Sequence, residues 1–379
     1  MLGKHKIIVD TQSQMFELIT DFADSEFHDL ANHTIVPGAV YVIGRNQFRL
    51  NVDYIRRLIE SNQIYVVLGD PSEGSASMIL LCRVLNAEDL VLSGKVLLLS
   101  GGDIDSSYTS LSYEFFLNKI FDYPSNQLAM QRTPEVYEKT DKPYKFLFLN
   151  GRYRPHRKYL LEKFRLSGLL DQSLWTNLDS SESNSKWLTL ISNNKNLLFC
   201  SMPVHCLPAE YEVEEYSHRV ESIPSHPFVK PYLFNNTWGD IYLNPMAYID
   251  TYFSVVTETV FNYPYSFRTE KIWKPIAMGH PWVAVANAGY YRDIKNLGFK
   301  TFGHLIDESF DQIESSQARI ERIEQVVQDL CNQDLVSFLG SARDVCEHNQ
   351  RHLEEARQIE IKKFPDRFSN FLKTHLNKK

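Results

Sequence analysis

The chain has 379 residues, more than one typical core holds, with 43% hydrophobic and 23% charged residues; this gives a globular protein of roughly two domains and excludes a disordered or fibrous one. A formal net charge of -7 and a pI near 6.0 exclude an overall basic field for nucleic acid or an anionic membrane, so any anion site is local. Five cysteines, Cys82, Cys200, Cys206, Cys331 and Cys346, lack CxxC spacing, which indicates a reducing compartment.

The opening MLGKHKIIVDTQSQMF is broken by Asp10 and Gln12 before a signal-like apolar core develops, and no window reaches the roughly 20 apolar residues of a membrane span. The expectation is a cytoplasmic protein with no transmembrane segment. Sequons at Asn32 and Asn235 matter only in a secreted protein.

Apolar runs at Lys6–Val9 and Val40–Ile43 predict buried strands, and the helical spacing of Phe16, Ile19, Phe22, Phe27 and Leu30 predicts a helix over Met15–Leu30 between them. Asn51–Glu60 predicts a second helix, Ile64–Leu68 a strand ending at Gly69-Asp70-Pro71, Ser75–Leu85 a helix, and Lys95–Leu99 a strand ending at Gly101-Gly102. Such alternation indicates a parallel sheet covered by helices. From Tyr123 to Tyr144 the chain is polar and proline-dotted without periodicity, which marks a domain boundary.

Lys145–Leu149 begins a second α/β region, followed by an amphipathic helix over Arg157–Leu170 carrying Tyr159, Leu160, Phe164, Leu166 and Leu170. Ser- and Asn-rich Asn177–Lys195 predicts a surface excursion, and Pro203–Pro231 an irregular insertion. Tyr252–Val256 and Trp282–Ala286 predict strands separated by an aromatic loop and a helix opening at Thr269-Glu270-Lys271. A short helix over Tyr290–Leu297, a turn and strand over Gly298–Phe302, a helix within Ile313–Leu330 and a helical tail over Leu335–Leu376 complete the chain. The domains expected are 1–140, 141–345 and a closing helical segment, 346–379.

In parallel sheets ligands sit on the loops leaving the carboxyl ends of strands, which directs attention to Thr257–Lys271. Thr269 is a good N-cap, the amides behind it suit an anion, Lys271 adds charge, and Glu270 suits ribose hydroxyls; a solvated, capped first turn fits the same residues. Arg152, Arg154, Arg157 and Lys158, following Asn150 at a strand end, make a local diphosphate site or a solvated basic turn. His156 and His280 suit structural hydrogen bonds, and Cys200, His205 and Cys206 lack metal spacing.

Residues from about 145 to 311 resemble the carboxyl-terminal domain of the family-ten α-1,3-fucosyltransferases and related glycosyltransferases of bacteria and phages. The resemblance is carried by Phe148, Asn150 and Arg157, then Phe253 and Glu258, then Phe267-Arg268-Thr269-Glu270-Lys271, then Gly279-His280-Pro281. It implies an α/β fold of GT-B type, with two Rossmann-like domains facing across a cleft. It also implies a nucleoside-diphosphate-sugar donor such as GDP-fucose or another GDP- or UDP-sugar, with a glycan, lipid-linked glycan or protein acceptor. Arg157 and Lys271 would hold the diphosphate, Glu270 the ribose, and Glu258 would stand in the same loop system near the donor sugar. Asn150, Phe267 and Thr269 belong to the same motifs, and Arg152 and Arg154, from the basic turn, complete the expected donor site.

Transfer to a hydroxyl needs the leaving diphosphate stabilised and a carboxylate to accept the proton. In a metal-independent GT-B enzyme that base comes from the first domain, where Glu73 is the first candidate and Asp70 the second; an exposed acidic turn accounts for the same pair. No metal or other cofactor is expected. Two alternatives stand: a metal-dependent GT-A-like enzyme organised on Asp103 and Asp105, and a non-catalytic nucleotide- or sugar-binding protein.

Overall fold

A computed structural model describes residues 6–10, 25–28, 34–61, 63–122, 124–150, 154–177, 197–200, 243 and 245–376. The mixed α/β chain is built on two sheets whose strand pairs are all parallel among the described residues. By internal contacts it divides into two compact units, one of Met1–Phe115, Tyr265–Phe267 and Arg357–Lys379, the other of Phe116–Pro264 and Arg268–Ala356.

The first unit contains β1 (Ile7–Asp10), β2 (Ser25–His28), β3 (Ala39–Ile43), β4 (Ile64–Gly74), β5 (Val96–Gly101) and β6 (Ser110–Ser112), in the order β2-β1-β3-β4-β5-β6. Helix α1 (Arg45–Glu60) connects β3 to β4, and α2 (Ser75–Val84) and α3 (Glu88–Leu92) connect β4 to β5. Ile7, Ile8, Val9, Val40, Val42, Val66, Val67, Leu68 and Val96 through Leu99 are all buried, the continuous apolar pattern of strands covered on both faces. Helix α1 adds Phe48, Ile55, Leu58 and Ile59, one helical stripe.

Between the units' sheets in sequence lie α4 (Phe115–Lys119), α5 (Pro124–Met130) and α6 (Thr133–Glu138). The second sheet has the order β11-β10-β7-β8-β9, from β7 (Tyr144–Asn150), β8 (Ser173–Asn177), β9 (Leu197–Cys200), β10 (Thr251–Thr257) and β11 (Trp282–Val285). Its helices are α7 (Pro155–Leu166), α8 (Pro245–Ile249), α9 (Glu270–Ala277), α10 (Tyr290–Asn296) and α11 (Ser316–Cys331). The last helix, α12 (Leu335–Leu376), passes from the second unit into the first at 356/357. Phe146, Phe148, Phe164 and Phe253 form the aromatic centre of the second core, with Phe146 5.5 Å from both Phe164 and Phe253.

The second sheet runs from β7 outward to β8 and β9, then resumes on the other side of β7 with β10 and β11. The order reverses between β7 and β10, the switch point at which parallel sheets commonly receive ligands. Thr257 Oγ1 donates to Asn150 Oδ1 at 2.9 Å across this point.

Four expectations are corrected. Ser25–His28, inside the expected Met15–Leu30 helix, is a strand paired with β1; four residues carry too little periodicity to separate the two forms, and the rest of that helix lies outside the described residues. The segment read as irregular after Tyr123 holds α5 and α6, where Pro124 and Pro134 stand at helix starts instead of breaking them. No strand forms over Gly298–Phe302: Lys300 N and O pair with the Asn349 side-chain amide, both at 2.8 Å, in place of a neighbouring strand. Leu166 is exposed, because α7 turns His156, Arg157, Leu160, Leu161 and Phe164 inward. The expected excursion and insertion at 177–195 and 203–231 fall almost wholly outside the described residues, as do Cys206, His205, Asn32 and Asn235.

Candidate functional site

Strand β10 delivers Glu258 to the switch point as a wholly buried carboxylate. Its Oε1 accepts Thr269 N at 3.1 Å and the Tyr290 hydroxyl at 3.0 Å; its Oε2 accepts Thr269 Oγ1 at 2.7 Å and Thr259 N at 3.2 Å. Burial pushes this carboxyl above its ordinary value, and the Lys271 charge and Thr269 donors pull it back. Four donors with no acceptor opposite them suit the ionised form. Glu258 therefore closes the loop from β10 to α9 upon itself and does not face solvent.

Thr269 caps α9 from extended backbone. Its hydroxyl gives its single proton to Glu258 and accepts from Lys271 N at 3.4 Å and Lys271 Nζ at 3.2 Å, which uses the hydroxyl's full capacity. The Lys271 ammonium also pairs with the Glu270 carboxylate. Glu270 is buried, while the Lys271 side chain, at the positive end of α9, is 20% exposed.

Across the switch point, α7 begins at the Arg154 N-cap and Pro155. Arg157 is buried, and its Nη2 donates to Thr257 O at 2.9 Å and Glu258 O at 3.2 Å. His156 is also buried; its Nε2 lies 2.9 Å from Glu258 O, which fixes the proton on Nε2 because a carbonyl only accepts. Desolvation, then the Arg157 charge, lowers its pKa to about 3, so the ring is neutral. Arg154 is half-buried, Lys158 exposed, and Arg152 lies outside the described residues.

In the first unit the expected loop after β4 is a bulge within the strand: Asp70 pairs with Ser100 and Gly74 with Gly101, so Pro71–Glu73 are looped out. Arg45, at the start of α1, lies 2.5 Å from Glu73 and 3.7 Å from Asp70. Asp70 accepts from Ser72 Oγ at 2.7 Å. Burial raises the Asp70 carboxyl above its ordinary value, against the Ser72 bond and the Arg45 charge.

Asp105 Oδ1 accepts Ser107 N at 2.9 Å in a turn, and Asp103 N donates to Ser266 O at 2.7 Å. No group of three or more potential metal ligands converges among the described residues. Phe267 belongs to this unit, buried against Gly74 and Gly101. Gly101 admits no side chain, since a Cβ would stand 2.4 Å from Pro71 O and 2.6 Å from the Phe267 ring.

The site depends on two groups that sequence reasoning passed over, Tyr290 and Arg319. Arg319 is buried on α11 and reaches Ala286 O and Phe261 O. Its sequence signal is phase: it stands one helical turn before Ile323 on the stripe that α11 buries. A cleft of about 910 Å³, lined among others by Pro264, Gly289, Arg292, Lys295 and Asp311, adjoins the β10–α9 loop. Comparison with known proteins finds no matching family model, curated relative or solved structure.

Proposed function

We propose that the protein is a GT-B-type glycosyltransferase that moves a sugar from a nucleoside-diphosphate sugar, a GDP-sugar above others, to a hydroxyl acceptor with inversion and without a metal. The observation that carries this reading is the capped start of α9, where Thr269, Glu270 and Lys271 stand beside the switch point of a parallel sheet. Helix amides and an accessible ammonium suit a diphosphate, and the adjacent carboxylate suits ribose hydroxyls. The cleft beside the loop falls within the size of small-molecule sites, about 300–1,000 Å³.

In the reaction the acceptor oxygen attacks the anomeric carbon, the bond to the diphosphate oxygen breaks, and the nucleoside diphosphate leaves with the bonding electrons. Lys271 meets the developing charge. Arg157 is buried; it supports the site through the Thr257 and Glu258 carbonyls it holds and through its charge. Arg154 supplies a half-buried cation at the start of α7. The acceptor proton needs a carboxylate base, the role proposed for Glu73, with Asp70 second.

Thermal unfolding with GDP and UDP tests the reading. A nucleotide at about 100 times its Kd raises stability by about 2.7 kcal/mol, and Lys271→Ala should abolish most of that shift, read against the variant's own unliganded transition. Sugar transfer should persist in excess EDTA. A wild-type protein that responds to no nucleotide would sink the proposal, and transfer lost with the chelator would sink its metal-independent form.

A further inference from the structure

Arg319 is 2% exposed, and its five hydrogen bonds go to four carbonyls and a hydroxyl. Nε donates to Ala286 O at 3.1 Å. Nη1 donates to Ile313 O at 2.6 Å and Glu314 O at 3.1 Å, and Nη2 to Phe261 O at 2.5 Å and Ser316 Oγ at 3.4 Å. A planar guanidinium has five N–H donors in a fixed fork, and here every bond lands within the second unit. The carbonyls come from three separate loops: that after β10, that after β11, and that before α11.

The Phe261 ring adds a second grip. The Arg319 guanidinium lies 4.4 Å from its centroid, and the His156 imidazole stacks with it at 4.9 Å and 17°. His156 in turn holds Glu258 O. The loop is thus held at Glu258 and at Phe261, both ahead of the Thr269 cap. A cation this buried is costly to keep, and an apolar side chain of similar volume often stabilises a core better. Its geometry serves loops that must be held in one arrangement.

We propose that Arg319 is a positioning residue of the nucleotide site, tying the loop after β10 to the loop after β11 and so fixing where Glu258, Thr269 and Lys271 stand. The part concerning nucleotide rests on the function proposed above; the part concerning the loop does not.

The test uses the full chain and two readouts, amide hydrogen exchange over residues 258–269 and GDP affinity. Arg319→Ala should speed exchange of the loop and weaken GDP, each by roughly 10- to 100-fold, the loss expected when buried hydrogen bonds from a charged group are removed. Arg319→Lys should behave almost as badly, because an ammonium cannot span carbonyls on three loops. Added guanidinium ion at millimolar concentration should restore part of both readouts in Arg319→Ala and none in Arg319→Lys, whose side chain fills the space.

Val327→Ala, a buried truncation on the same helix, should lower stability with loop exchange and affinity unchanged. Unchanged loop exchange in Arg319→Ala overturns the proposal, as does an equal effect from Val327→Ala. If Arg319→Ala does not fold, unchanged loop exchange in Arg319→Lys overturns it. Wild-type protein that binds no GDP defeats the nucleotide reading, and loop exchange still decides the role of Arg319.

Discussion

Replacing Glu258 by glutamine tests whether the buried carboxylate closes the site loop. Each oxygen accepts one backbone N–H, from Thr269 at 3.1 Å and Thr259 at 3.2 Å, plus one hydroxyl. Hydroxyls rotate and reverse, but backbone N–H groups do not. Whichever way the glutamine amide is turned, its NH2 confronts a backbone donor, and one buried N–H is orphaned at about 1–3 kcal/mol. The remaining bonds fall from charge-assisted to neutral strength, about 1 kcal/mol less each, while the amide avoids the several kcal/mol of desolvating an ion. The balance is a loss of about 2–4 kcal/mol, a fall of roughly 5–15 °C in the transition that carries the second unit. Thermal unfolding measures it, with Glu355→Gln at an exposed carboxylate as the control. If Glu258→Gln unfolds where the control does, four converging donors do not hold an ionised carboxylate and the account of the loop fails.

Two further outcomes follow from the packing. His156 and His280 are both buried, and desolvation lowers each to about 3, so between pH 6.5 and 3 the unfolded chain binds protons the native state refuses. Stability therefore falls on acidification, by about 2 kcal/mol per histidine between pH 7 and 5. Urea midpoints should show this slope, His280→Gln should halve it, and a flat profile would contradict it. In the first unit, the three atoms nearest a Cβ on Gly74 all belong to Phe267, the closest at 2.8 Å, whereas a Cβ on Gly101 stands nearest to Pro71 O, at 2.4 Å. Each alanine variant should cost about 1–3 kcal/mol. Adding Phe267→Leu should relieve Gly74→Ala and leave most of the Gly101→Ala defect, and equal relief of both in unfolding measurements would refute the distinction.

The β10–loop–α9 unit was legible because its signals are local: an apolar run, a capping threonine and an amphipathic turn within about 25 residues. The short prolines of 124–138 misled for the same reason, since a proline marks a helix start or a break according to residues beyond it. Burial of Arg157 was hidden among basic neighbours, although it shares helical phase with Leu160, Leu161 and Phe164. Arg319 carried the same kind of signal with Ile323. The Asn150–Thr257 bond and the destination of Phe267 depend on strand order and on which unit a loop enters, and no single-chain pattern contains either.

Saturation of donors and acceptors, more than residue type, separates the roles within the second unit. Glu258 has the charge of a base but gives both oxygens to donors of its own loop and to the Tyr290 hydroxyl, so its four lone pairs are taken up within the protein. Arg157 has the charge of a phosphate clamp, yet one terminal nitrogen is committed to two carbonyls. Lys271 differs: its partners are the buried Glu270 carboxylate and the buried Thr269 hydroxyl, but its own side chain is 20% exposed. The buried groups hold the loop, so loss of Glu258 or Arg319 spoils a geometry, whereas under the proposed function loss of the partly exposed Lys271 removes a contact to the anion.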